Sequence, residues 1–271
     1  MKTVFKDSIL FNGEALKILK KYNNETFDAI ITSPPYNTSK RVGATDVYNK
    51  RYDKHKDDMT VDNYLDWTIS HFNEFEKKLK KDGVILYNMS YGTESHEFSN
   101  LIYLTMANIY LKTEFCVADT IVWKKKSAIP NNVSKNKMTR ITELIFVIVR
   151  KSEYKTFSAN KKVKSVSKHG QNFYENVFKF LEASNNDGSN KLNKATYSTE
   201  IVLELLERYV KPTKETVILD PFHGTGTTAN ACLQYGCSFV GIEISEEQHN
   251  FAVDRLNQTI ESLGLWELDR K

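Results

Sequence analysis

Thr32-Ser33-Pro34-Pro35-Tyr36-Asn37 is the stretch of the chain with the most unusual local chemistry. Two consecutive prolines fix two φ angles and remove two N–H donors. The residue ahead of each proline is pushed to extended geometry. The result is a stiff backbone turn whose carbonyls accept hydrogen bonds without competing donors beside them. Ser33 adds a hydroxyl and Tyr36 an aromatic face. Such a corner suits a flat ligand with an exocyclic amine, giving acceptors for the NH2 and a ring to stack on. A Pro-rich loop that only closes a strand has the same composition, so the hexapeptide needs support from elsewhere in the chain.

That support lies near the other end. Asp220-Pro221-Phe222-His223-Gly224-Thr225-Gly226-Thr227-Thr228 follows the apolar run Thr216–Leu219. The pattern reads as strand, tight turn, helix. Gly224 and Gly226 let the backbone approach a ligand closely, and the N–H groups opening the helix near Thr227 aim at the same spot. A second strand, 238–242, ends in Glu243, twenty-three residues past Asp220. An acid there is placed for ribose hydroxyls. Ala229 stands where a dinucleotide motif would have its third glycine, and an acid and a proline open the turn. Both features favour a nucleoside without a pyrophosphate. S-adenosylmethionine (AdoMet) is such a ligand; Asp220 could help hold its ammonium, directly or through water, and Phe222 could pack on its adenine. His223 reads as a turn filler.

The elements that must position these residues are legible as apolar periodicity. Short strands are expected at 27–31, 84–88, 119–123, 142–149, 216–219 and 238–242. Helices are expected from Glu14, over 61–80, over roughly 97–109, over 201–210, over 227–234 and after Ser245. Lys80-Lys81-Asp82-Gly83 reads as the turn that stops the second helix. Ser198 or Thr199 can cap the fourth helix, and Ser245 with Gln248 forms a capping box. Strands alternating with helices imply a mostly parallel sheet covered on both faces.

Basic residues cluster in three places. The polar stretch 38–58 carries Lys40 and Arg41 and reads as a long loop, either a solvated one or an arm closing over a nucleic-acid backbone. Segment 124–140 holds Lys124, Lys125, Lys126, Lys135, Lys137 and Arg140 and no acid. Segment 150–168 holds seven Lys or Arg, among them Lys161, Lys162 and Lys164, against one Glu. Aromatics follow at Phe173, Tyr174, Phe178 and Phe180. Basic residues with interleaved aromatics fit DNA contact, and an ordinary solvated surface has the same composition. The net charge is only +4 over 271 residues, so placement matters more than the total. Three cysteines have no metal-ligand spacing and read as free thiols of a reducing cytoplasm. No apolar run reaches membrane-spanning length, and the N-terminus does not read as a signal peptide.

Taken together, the chain resembles the DNA amino-methyltransferases, which move a methyl group from AdoMet to adenine N6 or cytosine N4. Ser33-Pro34-Pro35-Tyr36 matches their (D/N/S)-P-P-(Y/F/W) signature, and Asp220–Thr228 their cofactor signature. The catalytic motif comes first, which is the permuted β-type order. Asn193-Lys194-Ala195-Thr196-Tyr197-Ser198 is similar to the motif ahead of the cofactor strand, without its usual His-Pro start. Asn12-Gly13-Glu14 stands where the family often has Gly-Asp.

The resemblance implies an α/β, Rossmann-like methyltransferase fold: a catalytic half at 1–150, a target-recognition insert at 151–192 and an AdoMet-binding half at 193–271. It implies catalysis by Ser33, Pro34, Pro35 and Tyr36. Cofactor contacts would come from Glu14, Thr32, Thr196, Tyr197, Asp220, Pro221, Phe222, Gly224, Thr225, Gly226, Thr227, Thr228 and Glu243. DNA contacts would come from the basic residues named above. The target base would be flipped out of double-stranded DNA and stacked on Tyr36. Ser33 Oγ and the Pro34 carbonyl would accept from its NH2, so that the amine nitrogen attacks the methyl in line, without metal or covalent enzyme intermediate. Ser at the first motif position favours cytosine N4, with adenine N6 as the alternative. A non-catalytic AdoMet-containing DNA-binding protein, or a methyltransferase of RNA or protein amides, stands further off. A separately acting restriction endonuclease and a homodimer are compatible with the resemblance, as is a cytoplasmic location.

Overall fold

The computed structural model describes residues 1–37, 59–91, 96–128, 130–132, 135–187 and 196–264. The loop 38–58 with Lys40 and Arg41, and the stretch at Asn193 and Lys194, lie outside the described residues.

In chain order the strands are β1 (Lys2–Phe5), β2 (Ser8–Asn12), β3 (Phe27–Thr32), β4 (Leu79–Met89), β5 (Phe115–Lys125), β6 (Thr142–Arg150), β7 (Val163–Val166), β8 (Asn172–Tyr174), β9 (Phe180–Ala183), β10 (Val217–Asp220) and β11 (Ser238–Glu243). Nine of them form a central sheet in the spatial order β1-β2-β11-β10-β3-β4-β6-β5-β9, and β7 pairs with β8 separately. β2, β11, β10, β3 and β4 run parallel side by side, and β9 runs parallel to β5. β1 is antiparallel to β2, and β6 is antiparallel to both β4 and β5. The sheet is therefore mixed and mostly parallel, as expected.

Side chains alternate across the sheet with period two, and each set meets its own helices. Ala29, Ile31, Val84, Leu86, Ile145, Val147 and Phe239 pack with α4 (Thr199–Leu205), α5 (Thr227–Tyr235) and α6 (Glu246–Ser262). Phe27, Ile30, Ile85, Tyr87, Ile148 and Val240 pack with α1 (Ala15–Leu19), α2 (Val61–Lys78) and α3 (His96–Lys112). Both faces are buried, which is why the central strands read as continuous apolar runs.

Two local expectations are revised. Lys80-Lys81-Asp82-Gly83 is no turn: α2 ends at Lys78 and β4 begins at Leu79, paired with Phe27. Gly83 is required there because a Cβ would lie 2.6 Å from Leu79 Cγ and 2.9 Å from the Asp28 carbonyl. The fourth helix is α-helical only to Leu205 and continues to Val210 with π-helical spacing. Within segment 151–192, β9 joins the main sheet beside β5. What stands apart is the hairpin of β7 and β8, exposed along its length.

Arg150 secures the abrupt α2–β4 junction. Its guanidinium donates to the carbonyls of Glu76, Leu79, Lys80 and Lys81 at 2.5–3.0 Å and lies over the Phe115 ring. A helix C-terminus leaves carbonyls without helical partners, and a planar cation with five donors satisfies several at once. Arg150→Met should lower stability by about 2–4 kcal/mol, read as a drop in the urea midpoint with an unchanged m-value. A change below about 0.5 kcal/mol would contradict this role.

Candidate active site

β3 and β10 are adjacent parallel strands in register Ile218↔Ala29 and Leu219↔Ile30. Their C-terminal ends therefore emerge side by side, and with them the proline corner and the glycine turn. Thr32 Oγ1 donates to Asp220 Oδ1 at 2.7 Å, joining the two. One cavity lies beyond this seam. Ser33 and Pro35 form one part of its wall; Thr196, Tyr197, Pro221, Phe222, Gly224, Thr225 and Thr227 form another; Glu14 and Glu243 complete it. Most expected cofactor residues are thus in one place. Thr32, Pro34, Tyr36, Asp220, Gly226 and Thr228 are not on the wall.

Asp220 sits at the junction of the two motifs. Its carboxylate is 3% exposed and accepts from Thr32 Oγ1 and the Phe222 N–H on one oxygen, and from Thr228 Oγ1 and Tyr197 Oη on the other. Those four donors fill its acceptor positions. Burial pushes its pKa up, and the donated hydrogen bonds oppose that shift. Burial, with the Asp220 charge beside it, raises the Tyr197 phenol well above its ordinary value, so Tyr197 stays a donor. Asp220 binds the two motifs to each other.

Glu243 behaves similarly but keeps its place on the wall. One oxygen accepts the Gly224 N–H at 3.0 Å and the other the Ser245 N–H at 2.8 Å. A carboxylate offers about four acceptor directions, so ribose hydroxyls remain compatible with this arrangement. Gly224 and Gly226 have φ of 51° and 80°. A Cβ on Gly226 would also stand 2.9 Å from Ala252 Cβ, so its absence lets α6 pack directly on the turn. Ser245 caps α6 as expected, accepting the Gln248 N–H.

Two further cavity residues, Trp67 and His71, fall outside the sequence expectations. They sit one turn apart on α2 and close against Phe222, with ring centroids 5.3 and 5.1 Å from it. Their i, i+4 spacing is visible in the sequence, but nothing local distinguishes this stripe from the core-facing one beside it.

Behind the proline corner lies a polar cluster. Tyr36 is 7% exposed, and its hydroxyl is 2.5 Å from Ser33 Oγ, 2.6 Å from Asn88 Nδ2 and 3.3 Å from Glu143 Oε2. Asn88 ends the apolar run of β4. Glu143 opens β6, which is antiparallel to β4 and so brings its first residues to the same edge.

The basic residues divide by partner. Lys124, Lys125 and Lys126 pair with Glu182, Glu143 and Glu200, and Arg140 donates to the Tyr91 carbonyl. Lys135 and Lys137 are exposed, as are Lys161, Lys162 and Lys164 around β7.

His223 lines the cavity yet is 4% exposed, with no hydrogen-bond partner at either ring nitrogen. Burial, aided by the nearby His249 ring, lowers its pKa from 6.5 to about 3. The folded state therefore holds His223 neutral, while the unfolded chain takes up a proton below about pH 6.5. Stability from this group is present above that pH and lost as pH falls toward 3. Between pH 7.5 and 5.5 the loss is about 1.4 kcal/mol. Urea unfolding at both pH values should show this difference in the parent protein and a smaller one in His223→Gln; equal differences would contradict the assignment.

Known proteins resemble this chain over most of its length. A family model described as DNA methylase, covering N6 and N4 enzymes, matches residues 27–254. The Type II methyltransferase M.ScaI of Streptomyces caespitosus is 24% identical over 95% of this chain and 84% of its own. The DNA adenine methyltransferase YhdJ of Escherichia coli K12 is 24% identical over 92% of this chain and 82% of its own. The solved structure of the cytosine-N4-specific PvuII DNA methyltransferase superposes with a TM-score of 0.68 at 15% identity, covering 92% of this chain and 86% of the other.

Proposed function

This chain belongs to the N6/N4 DNA methylase family of amino-methyltransferases, and we propose that it methylates cytosine N4 of a base flipped out of duplex DNA, with AdoMet as methyl donor. The observation that carries the reading is the shared cavity: Ser33 and Pro35 face the same space as Phe222, Gly224 and Thr225. Its walls fit the donor chemically. Phe222 with Trp67 offers aromatic surface for an adenine, Glu243 offers acceptors for ribose hydroxyls, and acids on the wall suit a cationic ligand. AdoMet supplies an electrophilic methyl group on a positively charged sulfur.

The chain's own residues do the rest by placement. Ser33 Oγ and the Pro34 carbonyl accept from the exocyclic NH2, holding the nitrogen lone pair toward the methyl-donor side of the cavity. Fixing both reactants in near-attack geometry is the largest available contribution. Tyr36 is nearly covered, so stacking a base on its ring requires that face to open when DNA binds. Ser at position 33 supports cytosine N4; the similarity to YhdJ, an adenine enzyme by name, keeps adenine N6 as the second reading.

The exposed hairpin β7–β8 is the element we assign to DNA. It carries Lys161, Lys162 and Lys164 with exposed Val163, Val166, Phe173 and Tyr174, and a two-stranded ribbon fits the major groove.

Incubation of unmethylated duplex DNA with the protein and AdoMet, followed by nucleoside mass spectrometry, should show N4-methylcytosine. N6-methyladenine alone would reverse the choice of base, and neither product would overturn the activity. Ser33→Ala should cut the single-turnover rate by about 10²-fold while AdoMet binding is retained. Changing Lys161, Lys162 and Lys164 to Gln should weaken DNA binding and lower the salt-dependence slope by about one for each phosphate that these lysines neutralise. An unchanged slope would remove the hairpin from the DNA interface.

A further inference from the structure

The polar cluster behind the proline corner has a direction, and the direction decides what Ser33 offers the substrate. The Tyr36 hydroxyl has one proton and, among the described residues, three polar neighbours: Ser33 Oγ, Asn88 Nδ2 and Glu143 Oε2. Asn88 Nδ2 can only donate, and it does so to Tyr36 Oη at 2.6 Å and to Glu143 Oε2 at 2.9 Å, with Ser33 Oγ further off at 3.5 Å. The reverse amide orientation would set its oxygen against a carboxylate. Glu143 is an acceptor, 9% exposed at its side chain and paired through its other oxygen with Lys125 at 2.5 Å.

Two arrangements satisfy the short Ser33–Tyr36 contact. If Tyr36 donates to Ser33, then Tyr36 Oη and the Glu143 carboxylate face each other at 3.3 Å with no proton between them, and the Ser33 proton is free to turn toward the cavity. A hydroxyl proton there would oppose an incoming NH2. If Tyr36 donates to Glu143, its oxygen accepts from both Asn88 and Ser33. The Ser33 proton is then turned inward, and Oγ is left as an acceptor on the cavity that Ser33 lines, with Asn88 Nδ2 at 3.5 Å its one other donor among the described residues. Only the second arrangement satisfies every donor within the cluster and keeps the Ser33 proton away from the substrate amine. Hydrogen bonds to a charged acceptor are also the stronger kind.

We propose that Glu143, held by Lys125, is a positioning residue that orients the Tyr36 hydroxyl and thereby keeps Ser33 Oγ an acceptor for the target amine. It touches neither base nor methyl donor and acts through Tyr36. Lys125, one of the basic residues expected on DNA, then serves the carboxylate instead. The inference rests on the reading of Ser33 as the amine's acceptor.

Glu143→Gln keeps the shape but can donate to Tyr36, which reverses the chain. Tyr36→Phe keeps the ring and removes the relay. Each should lower the single-turnover methylation rate by about tenfold or more, with the dissociation constants for AdoMet and DNA within about twofold of the parent. The double variant should be no slower than Tyr36→Phe alone, because both changes break one path. Multiplying losses, or a Glu143→Gln rate within about twofold of the parent, overturns the proposal. If Glu143→Gln does not fold, Tyr36→Phe decides: a parental rate overturns it, and a slower rate with unchanged binding supports it. Ser33→Ala separates the two levels. A fully active Ser33→Ala removes the acceptor reading itself; a crippled Ser33→Ala beside an unaffected Glu143→Gln removes only the role of Glu143.

Discussion

The hydrogen bond between Thr32 and Asp220 ties together two pieces of chain 188 residues apart in sequence. It exists because β3 and β10 lie side by side, parallel, and end at the same level. Everything at the site depends on that adjacency. A proline corner and a glycine turn are common local structures. Here the sheet order places one after each of two neighbouring strands, and the cavity forms outside their carboxyl ends, where open α/β sheets place ligands. Asp220, buried and surrounded by four donors, fixes the spacing between the proline corner and the glycine turn.

Antiparallel β6 makes the second contribution. A sheet with only parallel strands would bring only strand ends to the site edge. Because β6 runs the other way, its first residues meet the last residues of β4, and Glu143 reaches the back of the proline corner alongside Asn88. The proline corner thus has a polar backing, and the glycine turn has an aromatic one in Phe222, Trp67 and His71. Preorganised supports of this kind keep reacting groups in geometry without reorganisation at the moment of reaction.

How much of this is legible in the sequence follows from what is local. The strands at 27–31 and 142–149 can be read because burial on both faces leaves an apolar run, and the glycine turn because positive φ and close helix approach restrict residue type at Gly226. The cap at Ser245 is a nearest-neighbour effect and is equally visible. The α2–β4 junction reads as a turn because Gly83 and its charged neighbours look like one, whereas pairing of Leu79 with Phe27 and capture of carbonyls by Arg150 are long-range. The pairing of Lys125 with Glu143 is not legible because Glu143 lies on another strand. Trp67, His71, Asn88 and Glu143 have no local signature; their place in the site comes from sheet order.

The central claim is that corner and turn enclose one ligand. A crystal structure with S-adenosylhomocysteine, the demethylated donor, tests it most directly. The adenine should lie against Phe222 and Trp67, the ribose at Glu243, and the sulfur should point at the Ser33–Pro35 corner. A ligand bound elsewhere, or one whose sulfur faces away from Ser33, would contradict it.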